Sequence, residues 1–143
     1  IQPTLWESEP GVVHMLLRST DGYIYRSDSQ DGGKTWCPAY RTSLPNNNSG
    51  IDAVQLDDGT LALVYNPVGQ NWGPRTPLVL STSTDNGQTW RQVCVLEDEE
   101  GEYSYPAIIK AGDQIMITYT WKRERIAFWA IPISKLEKAK GKS

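Results

Sequence analysis

Short apolar runs, each closed by a turn-forming pair, recur along the whole chain and read as β-strands. Residues 12–19 form one such run. Asp21-Gly22 turns it into 23–29, and a further strand is expected near 38–42. The pattern then returns: 52–56, the turn Asp58-Gly59, 60–66, a long loop, 76–83, and 91–96. A third unit runs 105–109, the turn Gly112-Asp113, 114–121, a turn at 123–125, and 126–131. The prediction is an all-β chain of about three blades, each of up to four antiparallel strands, at 1–46, 47–100 and 101–134. The basic run 135–143 is expected to be a solvated tail.

An internal repeat fixes the spacing of these units. Ser29-Gln30-Asp31-Gly32-Gly33-Lys34-Thr35-Trp36 and Ser83-Thr84-Asp85-Asn86-Gly87-Gln88-Thr89-Trp90 share Ser, Asp, Gly, Thr and Trp at the same places. The step from Asp31 to Asp85 is close to the length of one four-stranded blade. Each copy is a hairpin turn. The Asp should accept from backbone N–H groups two residues on, the Gly supplies a positive φ, and the Trp packs on the sheet. Three blades do not close a ring, and an open stack exposes sheet faces. The expectation is therefore half of a six-bladed propeller, completed by a missing half or by a second copy.

Composition narrows the function classes. The aromatic share is 10%, carried mainly by Trp and Tyr, which suits layered sheets. Net charge is −3 with both signs interleaved, which offers no nucleic-acid surface, and no apolar stretch is long enough to cross a membrane as a helix. One His and two Cys do not make a zinc site, and no phosphate loop or dinucleotide fingerprint is present, so neither metal nor cofactor is expected. Cys37 and Cys94 are expected as buried free thiols, which favours a cytoplasmic setting. The chain starts Ile1-Gln2-Pro3 without an initiator Met, as if an earlier segment had been removed, which leaves export open.

The repeated turn is the Asp-box, or BNR repeat, and the chain resembles the C-terminal half of a sialidase-like six-bladed propeller. The stretches MLLRS (15–19), SGIDAVQLDD (49–58), RTPLVL (75–80) and EYSYPAII (102–109) carry the likeness. The resemblance implies a glycoside as ligand, with an acidic sugar. It implies that Arg18 and Arg75 hold a carboxylate, which suits the planar, always-charged guanidinium. It implies a tyrosine nucleophile in Tyr103-Ser104-Tyr105-Pro106. Tyr103 fits the family's letters and Tyr105 fits the distance to the next turn. Stacking the units on their first strands aligns Gln2, Asp52 and Tyr105 at the channel. The family has a glutamate base where this chain has Gln2, so Asp52 is the candidate replacement, equally able to bind a sugar hydroxyl, and Gln2 is left as a candidate substrate contact. Trp72, in the Gly/Pro/Asn-rich loop 66–74, is a candidate for stacking on sugar or for packing between blades, and Trp121 could line the channel. His14 reads as satisfied structure, and Arg123 and Arg125 as a solvated turn. Asp-boxes also occur in binding propellers that are not enzymes, so a non-catalytic glycan- or protein-binding propeller and a purely structural fragment are the alternatives.

Overall fold

The chain folds into three antiparallel sheets, seen in a computed structural model that describes residues 2–140, the side chains of 137–140 apart. The first sheet is a meander of β1 (Pro3–Glu9), β2 (Val12–Leu17), β3 (Tyr23–Ser29) and β4 (Tyr40–Pro45). The second is β5 (Asp52–Gln55), β6 (Leu61–Tyr65), β7 (Leu78–Ser83) and β8 (Arg91–Glu97). The third has three strands, β9 (Tyr103–Ala111), β10 (Gln114–Trp121) and β11 (Arg125–Pro132), followed by α1 (Ile133–Lys140). This is propeller architecture: the strands of each sheet run in sequence order, and the sheets meet along their first strands, with β1 beside β5 and β5 beside β9.

Packing follows from the side-chain period of two. The second blade is covered on both faces, so β6 and the first half of β7 are apolar without alternation. Leu61, Leu63, Tyr65 and Val79 face the first blade, against Trp6, Leu16 and Ile24. Ala62, Val64, Leu78 and Leu80 face the third, against Tyr103, Ile108, Ile115 and Ile117. Burying each Leu or Ile contributes roughly 1.5–3 kcal/mol.

The two Asp-boxes share five matching hydrogen bonds. Gly33 N donates to Ser29 Oγ at 2.9 Å, and Gly87 N to Ser83 Oγ at 2.8 Å. Trp36 and Trp90 donate their indole N–H to Gly33 O and Gly87 O. Gly33 and Gly87 have φ of 91° and 81°, as expected of the turn. The Asp acceptors reach further than expected: Asp31 and Asp85 take the N–H of Thr35 and Thr89, four residues on, at 2.8 and 2.9 Å. Both Trp side chains are half-buried.

Three other expectations need correction. The fourth strand starts at Tyr40 and not near Pro38, because residues 37–39 are still leaving the box. The basic run is not wholly a solvated tail: it is helical through Lys140, and Leu136 is buried against the second core. Cys37 is a free thiol but exposed, while Cys94 is half-buried and has its pKa raised by burial. Residues 141–143 lie outside the described residues. Among the described residues, no helix is long and apolar enough to cross a membrane, and no group of three or more His, Cys, Asp or Glu could hold a metal ion.

Candidate functional site

The blades have two different ends. The first hairpin turns and both Asp-boxes lie at one. The other, the loop end, gathers the second hairpin turns, the links between blades and the starts of the inner strands. The link 46–49 (Asn-Asn-Asn-Ser) is almost fully buried there. Its amides replace regular ladder bonds: Asn46 Oδ1 accepts from Ser19 N and Asn48 N, and Asn47 Nδ2 donates to Pro74 O at 2.8 Å. Arg18 follows β2 and is 8% exposed. Its guanidinium donates to the side chain and carbonyl of Asn48 and to Gln2 Oε1, so neutral acceptors hold its charge in place.

Arg75 comes from the loop ahead of β7. Its guanidinium lies 5.4 Å over the ring of Tyr105. The Arg75 side chain is 12% exposed, and its buried Nη1 makes no hydrogen bond, although Glu102 Oε1 is 3.4 Å away. Tyr105 is 53% exposed. A hydrogen bond and the charge of Arg75, with help from Arg18, lower its phenol pKa below the ordinary value of 10. Two cations thus converge on one accessible phenol, an arrangement that favours phenolate and can also hold a carboxylate.

Tyr103 is a core residue, which removes it as nucleophile. Its side chain is fully buried, and burial with nearby Glu97 and other acids raises its pKa. A β-bulge separates the two tyrosines: across from β10, Ser104 and Ala107 pair with Thr120 and Thr118, leaving Tyr105-Pro106 opposite one residue. Tyr105 sits in this bulge at φ 51°, which turns its ring to the open side.

The ladders also correct the stacking of Gln2, Asp52 and Tyr105. Leu16 and Val64 pair with Arg26 and Leu80, each three residues before its box serine. Their inner-strand partners are Thr4 and Asp52, and the matching residue of the third blade is Ile108, opposite Ile117. Thr4, Asp52 and Ile108 therefore share one level, and they are bonded across it. Thr4 Oγ1 donates to Asp52 Oδ1 and Ile108 N to Asp52 Oδ2, both at 2.9 Å. Both oxygens of Asp52 join neighbouring blades, which makes it a staple and not a free base. Gln2, just ahead of β1, and Tyr105, in the bulge of β9, do correspond, each with φ near 50°. Gly50 holds this place in the second blade, and a Cβ there would stand 3.4 Å from Tyr105 Cδ1.

Trp72 is 71% exposed on a loop pinned by its N–H to Asn47 O at 3.2 Å. With Arg75, Glu102 and Arg123 it lines a cleft of about 350 Å³ beside the Tyr105 site. A larger cavity of about 440 Å³ lies at the opposite end, around Asp58, Lys110 and Ile133, away from every candidate residue. Trp121 is half-buried between Lys122 and Arg125. His14 is buried structure: Asp28 and Ser8 flank its ring at 2.6 and 2.7 Å, Arg26 and Asn86 face it at 3.3 Å, and Trp6 stacks on it. The sequence reading missed Glu102, Asn48 and Gly50. Their signal was adjacency, since each stands inside or next to the stretches 49–58 and 102–109.

Similar folds occur in proteins of known activity. The chain superposes with a TM-score of 0.66 on the α-L-arabinofuranosidase Arb93A of Fusarium graminearum in complex with an iminosugar inhibitor, at 15% identity, covering 92% of this chain and 45% of that one. The K499G mutant of the NanB sialidase of Streptococcus pneumoniae gives 0.67 at 19% identity, with 93% and 23% covered. The leech intramolecular trans-sialidase complexed with 2,7-anhydro-Neu5Ac gives 0.68 at 18%, with 94% and 23% covered. The chain thus spans from about a quarter to under half the length of these structures. No curated protein matches it by sequence. The family of BNR repeat-like domains matches residues 1–117, most of the chain, and it is to this family, with its sialidase-like propeller fold, that the chain belongs.

Proposed function

We propose that this chain supplies one wall of a glycoside pocket and that, in a closed propeller, the pocket hydrolyses a glycoside whose sugar carries a carboxylate. The observation that supports this most is the convergence of Arg18 and Arg75 on the exposed, acid-shifted phenol of Tyr105. In this reading the two arginines hold the sugar carboxylate, and Tyr105 Oη attacks the anomeric carbon as the bond to the leaving oxygen breaks. An acid outside this chain protonates that oxygen, and water then cleaves the tyrosyl–sugar bond. Gln2 takes no proton and the oxygens of Asp52 are engaged, so the cations beside Tyr105 take over part of a base's work by favouring phenolate. Trp72 would contact the sugar beyond the scissile bond.

The test is a glycoside panel assayed on a protein that carries this chain with the blades that close the ring. Hydrolysis of an acidic glycoside, abolished in Tyr105→Phe and weakened in Arg75→Gln, is expected. Its rate should climb with pH toward a phenol pKa below 10 and level off above it. Unchanged turnover in Tyr105→Phe refutes the hydrolytic reading. The second reading, a propeller that binds acidic glycans without cleaving them, is favoured by Gln2 in place of a base. It predicts saturable binding without product.

A further inference from the structure

The cleft outside Arg75 has features that the Tyr105 pocket does not use. Glu102 stands between two guanidinium groups: its Oε2 accepts from Arg123 Nε at 2.9 Å, and its Oε1 lies 3.4 Å from Arg75 Nη1. Two cations and one carboxylate are the charged side chains that line the cleft. The Arg75 contact is a loose one, since the buried Nη1 makes no hydrogen bond. Arg123 is 72% exposed, so much of its guanidinium faces water.

The frame around these groups is fixed. Lys122 and Arg123 occupy the left-handed region, with φ of 51° and 56°, in the tight turn from β10 to β11. Lys122 N donates to Glu102 O at 2.7 Å, tying that turn to the start of β9. On the far side, Trp72 N bonds Asn47 O and Gly73 N bonds Gln70 O, so the exposed indole stands on a held loop. A flat apolar face, two guanidinium groups and one carboxylate thus line one opening.

From this arrangement we infer that the cleft is a second sugar subsite selective for an anionic unit, so that the ligand is an acidic oligosaccharide with charge on two adjacent sugars. This rests on the reading of Tyr105 as the first subsite, because Arg75 forms the wall common to both. The ring of the second unit lies on Trp72, its carboxylate or sulfate bonds the exposed Arg123 guanidinium, and Glu102 competes for that cation. Glu102 is then the residue that sets how strongly the charge is preferred.

The whole cleft belongs to this chain, so the 143-residue chain can be titrated by calorimetry at low salt. The probes are digalacturonic acid, its carboxyl-reduced counterpart and monomeric galacturonic acid. The acidic disaccharide is expected to bind at least tenfold more tightly than the reduced one. Arg123→Gln should abolish that preference while leaving monosaccharide binding unchanged. Trp72→Ala should weaken both disaccharides about tenfold. Glu102→Gln should increase the acid preference, an effect opposite in sign to simple damage of the loop. Equal affinity for the two disaccharides, no binding of either, or an Arg123→Gln variant that keeps the preference overturns the inference. Retained disaccharide preference with no monosaccharide binding counts against the Tyr105 subsite and not against the cleft.

Discussion

The box end and the loop end use the same residue types in opposite ways. At the box end, Arg26 is 4% exposed and all its nitrogens are engaged: Nε on Asp28, Nη1 on Asn86 O and Nη2 facing His14, with Trp6 beneath. At the loop end, Arg75 is nearly as buried but keeps an unbonded N–H. The tyrosines differ likewise. Partial burial and a hydrogen bond to Asp28 push Tyr40 up to about 12, whereas Arg75 pulls Tyr105 down. Asn86 is locked by Trp6 Nε1 at 2.7 Å, while Trp72 is left bare. The difference separates residues whose bonds are all made within the chain from residues that keep bonding capacity free, and the proposed site draws Arg75, Tyr105 and Trp72 from the second kind.

The largest effect that would sharpen this contrast is catalytic. Tyr105→Phe in the closed propeller should lower kcat by about 10³-fold or more while thermal stability stays within about 0.5 kcal/mol of the parent. The exposed phenol oxygen carries no fold-defining bond. A matched loss of stability, read by calorimetry, would instead make Tyr105 part of the framework.

Next in size is a pair of arginine substitutions. Arg26→Met should cost about 3 kcal/mol, because it leaves Asp28, Asn86 O and His14 without their buried cation. Arg75→Met should cost under about 1 kcal/mol, since the bonds it breaks are few, and should abolish carboxylate binding. Urea denaturation of both variants measures this directly. Equal losses would erase the distinction between the two ends.

A smaller effect distinguishes the boxes from each other. Gly33→Ala and Gly87→Ala both force a side chain to positive φ, at roughly 1 kcal/mol. At Gly33 the new Cβ meets Trp36 at a comfortable 3.6 Å. At Gly87 it would stand 2.9 Å from Arg26 Nη1 and 3.3 Å from Trp6, within the joint to the first blade. Gly87→Ala should therefore cost about 1–2 kcal/mol more than Gly33→Ala. Thermal melts of the two variants decide it.

Why the box end was legible in the sequence and the loop end only partly so has a physical cause. Box bonds are local, within four residues, so two matching octapeptides were enough to place the turns and to keep Asp31, Asp85, Trp36 and Trp90 out of the chemistry. Strands 23–29 and 114–121 were read at their observed bounds because each is framed by turn signals. The loop end depends on register, and register is shifted by bulges at Glu7–Glu9 and at Tyr105-Pro106 that no alternation pattern announces. Hence Asp52 was set level with Tyr105 when it lies level with Thr4 and Ile108. The same bulge breaks the rule that residues two apart share a face, which is why Tyr103 and Tyr105 could not be told apart. The run 46–49 is buried because the side-chain amides of Asn46, Asn47 and Asn48 each find a partner in another segment.

The smallest expected effect concerns pH, and it probes the boxes as closed local units. Hydrogen bonds from the Thr35 hydroxyl and N–H and from Ser29 hold Asp31 at about 2, and those from Thr89 and Ser83 do the same for Asp85. Both pKa values are depressed in the folded state, so both carboxylates add stability above the unfolded value of about 4. That contribution falls away as pH drops from about 4 toward 2, because protons then bind the unfolded chain first. Both groups are exposed, so the slope should be modest and should weaken little with salt, since hydrogen bonds within the turn cause the shift. In Asp31→Asn the acid slope of the melting temperature should shrink, and in Asp31→Asn with Asp85→Asn it should shrink further by a similar step, as expected of two units that do not touch. A second step much larger than the first would mean that the box docked on Trp6 and Arg26 draws its acidity from the first blade and not from its own turn.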